Sequence, residues 1–581
     1  MSIDIETYRL KAQEAIEYVF VKEYHNSLGI PMPIVKMLLP DDANYSTGQY
    51  YITIDKTWQI HLNFGKLPIS YHEFQNEVKV LTRHEIEHYM CCPFDVITHF
   101  RMLKRIKDVY YKHFSHLGIN IKYACGAISN QAADIIVDTK NYYRHSKETL
   151  KSEIDWIKIG ANISACPRHC KLMFLTKEAI WKEDLGINET DPEFLKIVHQ
   201  LADSFTKNGI EDKSSFLDKV EEYAEIFFKL YVEDQKNPQQ SGQQGSQQQS
   251  GQQGSQQQSG QQGPQQQNGQ QGSQQQSGQW GVGRPKDGDE HGNAFVFADP
   301  DKVKEAIEVL AEETSVEEFI DLLAIAGIIG MSDKQKGVLW FNVQSANIIP
   351  IVEFSNTGNK SSYTYPSVWR IGDPIEELDL MLTYMTSPRL IPGMTTKKWE
   401  YVSNDDNGTE SKQMDLLLVV DTSGSMGSAM KESANMHQAV LASYGILSYF
   451  ESTKSKVAFI GFSDKIDAYV DWSDKYDDVR ERLLTNGHGG TKFPISRIKS
   501  TLDVRSRDLV TVLITDGDLG NINESVSYFR DYLNDDNKLY IFLLGGSKSL
   551  HSYEPLKNIG AKIYNANNAN EFCDMVLTDM E

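Results

Sequence analysis

Cysteine is scarce in this chain. The six that occur, Cys91, Cys92, Cys125, Cys166, Cys170 and Cys573, are irregularly spaced. That excludes a disulfide framework and suits a reducing compartment. Basic residues are also short, 58 against 80 acidic, leaving a net charge of -22 and a pI near 5.2. A surface so acidic repels phosphate backbones and anionic lipid, and no local basic patch offsets it, so neither nucleic acid nor a membrane is an expected partner. No apolar run is long enough to span a bilayer. The opening residues lack the positive and apolar regions of a secretory signal. The expected location is cytoplasmic.

Apolar side chains almost vanish over residues 241–276, where a nine-residue Ser-Gly-Gln-Gln-Gly-Ser-Gln-Gln-Gln unit occurs four times with Pro264 and Asn268 as variants. Such a tract has too little apolar area to offset its ordering entropy and is expected to be a disordered tether. The 581 residues also exceed what one hydrophobic core holds. The expected division is a domain over 1–235, the linker over 236–294, a connecting segment over 295–412 and a second domain over 413–581.

Ahead of the linker, helical spacing of apolar residues predicts helices over Glu6 to Glu23, Phe94 to Tyr111 and Ser215 to Val232. The alternation of Trp58, Ile60, Leu62 and Phe64 with polar residues, after the strand-like run Tyr50 to Ile54, predicts a half-buried hairpin. Beyond the linker, Asp301 to Ile329 reads as helical. From about Gln413, the apolar runs Leu416 to Val420, Val457 to Phe462, Leu509 to Ile514 and Leu539 to Leu544 alternate with amphipathic segments. That alternation predicts an α/β, doubly wound parallel sheet.

The first of these runs ends in Asp421-Thr422-Ser423-Gly424-Ser425, at the strand end where open α/β sheets bind ligands. One carboxylate and two hydroxyls are hard oxygen ligands suited to Mg²⁺. Thr491, after Gly489-Gly490, and Asp516, after the run ending at Thr515, offer two more. These three segments, in this order, resemble the metal-ion-dependent adhesion site of von Willebrand factor A domains, over about residues 413–581. The resemblance implies a Rossmann-like fold in which Asp421, Ser423 and Ser425 hold the ion, with Thr491 and Asp516 bound directly or through water. It also implies a protein partner whose carboxylate fills the open position. Ordinary strand-end turns are rich in the same residue types, but three such segments in series are not ordinary.

A helix from about Phe74 to Met90 carries His84-Glu85-Ile86-Glu87-His88. Imidazoles one turn apart can share a Zn²⁺, and Glu85 is placed to take a proton from water that the metal activates. Further on, Asn130, Asp134, Asp138 and Tyr142 recur four apart. Zinc hydrolases need a third ligand and an outer carboxylate that orients a liganding imidazole; Asp134 and Asp138 suit those roles. A register one turn earlier, Asn130 and Asp134, is the alternative, although an amide is a poor zinc ligand. The two helices resemble gluzincin-like proteases and, more closely, metallopeptidase domains fused to von Willebrand factor A-like domains in prokaryotes. The resemblance spans about residues 1–235 and is strong only around these helices. It departs in having Asp134 where gluzincins use Glu, and Asp138 where Asn is expected. It implies a mainly α, zincin-like domain and a peptide or protein substrate added as a strand beside Trp58 to Phe64. An oxyanion stabiliser is expected among Tyr142, Tyr143, Arg144 and His145.

Cys166 to Cys170, with His169 between them, has metal-ligand chemistry and could join Cys91 or Cys92, although buried cysteine is more often plain core. The Trp369 to Asp373 stretch reads as a packing and turn element. Two functions of different class follow. One is a cytoplasmic zinc metallopeptidase whose Mg²⁺-dependent A domain docks a partner or substrate, with the tether raising the local concentration of docked protein. The other is a non-enzymatic adaptor, since A-domain proteins of this kind resemble partners of MoxR-type AAA+ ATPases.

Overall fold

The fold comes from a computed structural model that describes residues 5–28, 31–42, 50–54, 59–64, 70–159, 163–236, 300–328, 331–348, 364–369, 396–401, 414–487, 489–505, 508–517, 519–535, 537–544 and 551–566. The repeat tract, Trp58, Arg370 to Asp373 and Cys573 lie outside the described residues. The chain divides into two compact units, residues 1–303 with 325–327, and residues 304–324 with 328–581. Among the described residues no helix is long and apolar enough to cross a membrane.

The first unit is mainly helical. Its principal helices are α1 (Ile5–Glu17), α2 (Tyr71–Met90), α3 (Val96–Val109), α4 (Ile121–Ile159), α5 (Arg168–Trp181), α6 (Pro192–Thr206) and α7 (Phe216–Lys236). Helix α2 starts three residues earlier than its apolar spacing predicts because Ser70 caps it. The Ser70 hydroxyl accepts from the Glu73 amide at 3.2 Å, an N-cap, and donates to the Glu73 carboxylate at 3.1 Å. Asp95 caps α3 in the same manner, accepting from the Thr98 amide at 2.7 Å.

A small sheet packs on α2. Its strands are β1 (Ile34–Met37), β2 (Tyr50–Ile54) and β3 (Gln59–Phe64), in the order β1-β3-β2. The hairpin of β2 and β3 has the expected antiparallel pairing, but β1 adds in parallel to the other side of β3. Both backbone edges of β3 are therefore occupied. The strand expected to receive a peptide is the central one and cannot do so; the edges are β1 and β2. Ile60 and Leu62 of β3 and Phe74, Val78 and Ile86 of α2 share one buried cluster with α1.

Helix α4 is not one rod. His145 has φ −134° and ψ 48°, outside helical geometry. Asp138 and Glu153, fifteen residues apart, would stand about 22 Å apart along a straight helix, yet both bond to the ammonium of Lys177. The chain therefore turns back on itself at His145.

In the second unit, apart from residues 300–303 and 325, α8 (Pro300–Glu313), α9 (Val316–Ile325) and α10 (Asp333–Ile348) precede a two-stranded ribbon, β4 (Thr364–Val368) with β5 (Lys397–Tyr401). The predicted helix over 301–329 breaks at Ser315, whose hydroxyl accepts from the Glu318 amide at 3.2 Å and starts α9. A six-stranded sheet follows: β6 (Asp415–Asp421), β7 (Val457–Phe462), β8 (Ile466–Ser473), β9 (Leu509–Thr515), β10 (Lys538–Leu544) and β11 (Lys562–Ala566). Its order is β11-β10-β9-β6-β7-β8, parallel throughout except for the antiparallel edge strand β8. Every residue of β6, β7 and β9 is buried, which is why these strands read as unbroken apolar runs.

Residues 295–412 read in the sequence as a connecting segment. Within it helix α10 packs on α11 (Asn435–Ser452): the Trp340 and Phe341 rings lie 5.3 and 5.2 Å from the ring of His437, and Phe341 is 5.6 Å from Tyr444. Trp340 Nε1 donates to the Thr314 carbonyl at 2.9 Å and ties α10 to α8. This helical layer is part of the sheet's own unit.

Candidate metal centres

His84 and His88 leave α2 on the same side, one turn apart, and Asp134 of α4 meets them. Their Nε2 atoms are 3.1 Å apart. Asp134 Oδ1 lies 3.2 Å from His88 Nε2 and 3.5 Å from His84 Nε2. Among the described residues, this is where three His, Cys, Asp or Glu ligand atoms come together.

The outer contacts fix which ring nitrogens face inward. His84 Nδ1 is 2.7 Å from Asp138 Oδ1, and His88 Nδ1 is 2.8 Å from the Cys92 carbonyl oxygen. Both partners are acceptors, so both Nδ1 atoms carry hydrogen and the Nε2 atoms, the ones a metal would take, face inward. No hydrogen bond of good geometry reaches Asp134 Oδ1 either. Three ligand atoms thus converge in a buried place, a group that could hold a metal ion. Ligands about 2.0–2.1 Å from a tetrahedral ion are about 3.3 Å from one another, close to the spacings found. The residues fit zinc.

Electrostatics point the same way. Burial pushes the His84 imidazole down, but the carboxylates of Asp138, Asp134 and Glu85 outweigh it and raise its pKa to about 9. Burial would raise Asp134 and Asp138; the imidazoles, and for Asp138 chiefly Lys177, hold both below the usual carboxylate value. The site therefore attracts positive charge.

Asn130 donates through Nδ2 to Asp134 Oδ2 at 3.1 Å. The amide orients the carboxylate, so the earlier-register alternative, in which Asn130 is a ligand, does not describe this arrangement. Glu85 is fully buried on the same helix. Glu87, also fully buried, accepts from Tyr24 at 3.0 Å and Arg144 at 2.8 Å, and pairs with Lys140 at 2.9 Å. That accounts for Arg144. Of the other expected oxyanion stabilisers, Tyr142 donates to Glu183 at 2.9 Å, Tyr143 is 58% exposed, and His145 marks the break in α4. All four lie eight or more residues past Asp134, about 12 Å or more along a helix. Among the described residues Cys166 and Cys170 join no group of three ligands with Cys91 or Cys92, and Cys91, Cys92 and Cys170 are buried, in keeping with the plain-core reading.

Sequence reasoning missed Lys177 and Glu153. Lys177 bonds Asp138 Oδ2 at 3.0 Å and also bonds Glu153.

The second centre lies at the carboxyl ends of β6 and β9, where the strand order reverses and open α/β sheets place their ligands. Asp421 ends β6, and Asp516 directly follows β9. Asp421 Oδ1 accepts from the Ser423 amide at 2.9 Å and Oδ2 from Thr515 Oγ1 at 2.6 Å. The Ser423 and Ser425 hydroxyls are 3.1 Å apart, and Ser425 donates to Asp516 Oδ1 at 2.9 Å. Thr491 sits between two tethers: the Gly489 carbonyl accepts from the Gly424 amide at 3.4 Å, and the Lys492 amide donates to the Ser463 carbonyl at 2.8 Å. Gly489 has φ +115°, and a Cβ there would stand 3.3 Å from the Asp464 carboxyl, so glycine alone suits the position. Four of the five expected side chains are thus linked by hydrogen bonds, and the fifth is on a loop bonded to theirs. Burial, with Asp516 nearby, raises the Asp421 carboxyl despite its bonds to Thr515 and Ser423. Oxygen donors around a buried carboxylate suit Mg²⁺. Asn435, which sequence reasoning also missed, donates to Asp516 Oδ2 at 3.1 Å.

No family model matches the chain, and no curated protein matches it. The solved structure of a conserved hypothetical protein, BatB from Bacteroides thetaiotaomicron, is similar at 13% identity, covering 29% of this chain and 98% of that one, with a TM-score of 0.25.

Proposed function

We propose that this chain is a zinc-dependent peptidase whose second unit, a von Willebrand factor A-type domain, docks a protein through Mg²⁺. The observation that carries the proposal is the convergence of His84 Nε2, His88 Nε2 and Asp134 Oδ1, each ligand turned inward by an outer partner. Zinc held there supplies Lewis acidity, polarising a carbonyl oxygen and lowering the pKa of water to roughly 7. Glu85 takes the proton from water and passes it to the leaving amine. Asp138 and the Cys92 carbonyl keep both imidazoles in the ligand tautomer.

In the second unit Asp421, Ser423 and Ser425, with Thr491 and Asp516, hold Mg²⁺, and a carboxylate of the partner protein completes its shell. Ser425 and the glycines at 424, 489 and 490 are exposed, leaving that side approachable.

The test is hydrolysis of a peptide library by the zinc-loaded chain and by Glu85→Gln. Cleavage lost with zinc retained supports a peptidase. No cleavage by either removes it.

One observation favours a second reading, the non-enzymatic adaptor. Glu85 and His88 have no exposure, and the surface cavities lined by Leu175, Glu178 and His199, and by Glu73, Val80 and Lys147, include none of the cluster's residues. On that reading the zinc is structural and the A domain works with a MoxR-type AAA+ ATPase. Glu85→Gln then leaves function intact, while Asp421→Ala abolishes it.

A further inference from the structure

A lysine ammonium is costly to bury unless it is paired, and Lys177 is only 2% exposed. Its Nζ donates to Asp138 Oδ2 at 3.0 Å and to Glu153 Oε1, with the rings of Phe174 and Trp181 5.3 and 5.9 Å away. The other oxygen of Asp138 is the one 2.7 Å from His84 Nδ1. A single line of contacts thus runs from Glu153 through Lys177 and Asp138 to His84, and ends where the three ligand atoms converge. It joins three helices: α2 gives His84, α4 gives Asp138 and Glu153 on either side of its break, and α5 gives Lys177.

We infer that Lys177 is a positioning residue for the metal centre, holding Asp138 turned so that its Oδ1 takes the Nδ1 hydrogen of His84 and Nε2 faces the ion. This rests on the zinc reading of the cluster. Without the ammonium on its Oδ2, the Asp138 carboxylate is free to swing about its terminal torsion. That releases the imidazole from the orientation the metal needs. Partners of this outer kind change metal affinity by about 10- to 100-fold when removed.

The plainer role for Lys177 is to neutralise two buried carboxylates and pin α5 to α4. The two roles separate by substitution. Lys177→Met alone strands Asp138 and Glu153 together and can fail to fold, so the informative variant is Lys177→Met with Glu153→Met, which removes one cation and one anion. Glu153→Gln, which keeps Lys177 on Asp138, is the control.

Zinc affinity of the full chain is measured by competition with a chromophoric chelator, beside the visible absorption of the Co²⁺ form and a circular dichroism melt. The double variant is expected to melt cooperatively, bind zinc at least about 10-fold more weakly and shift the Co²⁺ bands, while Glu153→Gln stays near the unsubstituted chain. A folded double variant that binds zinc within about twofold of the unsubstituted chain, with unchanged Co²⁺ bands, overturns the inference and leaves Lys177 a counter-ion. If the folded unsubstituted chain takes up no zinc, the zinc reading itself fails and takes this inference with it.

Discussion

His84 Nδ1 and Asp138 Oδ1 are 2.7 Å apart, and that one bond decides which nitrogen of the ring faces Asp134. Asp138→Ala removes the acceptor and lets the ring take either tautomer. The zinc dissociation constant is expected to rise about 10- to 100-fold, read by chelator competition, with Asp138→Asn less affected because its amide oxygen still accepts.

The same contacts give a pH dependence. In the metal-free protein burial lowers the His84 imidazole, Asp138, Asp134 and Glu85 raise it, and the net value is about 9. A folded value above the unfolded one, near 6.5, stabilises the fold fully below 6.5 and loses that stabilisation as pH rises through 9. The effect is on the order of 1–3 kcal/mol. Calorimetry with a chelator present is expected to show the first unit melting lower at pH 9.5 than at pH 6.5. Zinc binding at pH 7 is expected to release about one proton per chain, measured by titration calorimetry in buffers of different ionisation enthalpy.

How much of this was legible in sequence depends on distance along the chain. His84, Glu85 and His88 share one helix, and Asp134 and Asp138 another, so helical spacing alone picks out all five. Lys177 lies 39 positions beyond Asp138, and a lone lysine in an amphipathic helix reads as surface. The break at His145 has no glycine or proline to mark it. The error over β3 has the same origin: its alternation shows a half-buried strand, but its parallel partner β1 comes from a separate stretch of chain. In the second unit the apolar runs gave the strands and Asp421, Ser423 and Asp516 their places at strand ends. The role of Asn435, at the start of a helix between those strands, had no pattern to betray it.

Asp421 is fully buried, and burial with Asp516 nearby raises its carboxyl. Without metal the ionised form at neutral pH opposes folding, since a raised carboxyl favours the fold only where it is protonated. Asp421→Asn is therefore expected to raise the melting temperature of the metal-free second unit by roughly 2–4 °C, about 1 kcal/mol. The proposed Mg²⁺ site predicts a further rise with Mg²⁺ for the unsubstituted chain and none for Asp421→Asn. Differential scanning fluorimetry with and without Mg²⁺ reads both.

Phe341 is fully buried and Trp340 is 4% exposed, and both pack on His437 of α11. Replacing Phe341 with Ala is expected to cost about 3–5 kcal/mol in the second unit, measured by urea denaturation. A fragment starting at residue 413 leaves that face of α11 bare and is expected to be less stable than one starting at residue 300.

The proposed function requires His84, His88 and Asp134 to hold one zinc. Elemental analysis of the purified full chain beside His84→Ala and Asp134→Ala tests it most directly. The expected result is about one zinc per chain, lost in both variants while each remains folded. A folded, unsubstituted chain without zinc after exposure to the metal, or variants that retain it fully, would contradict the account.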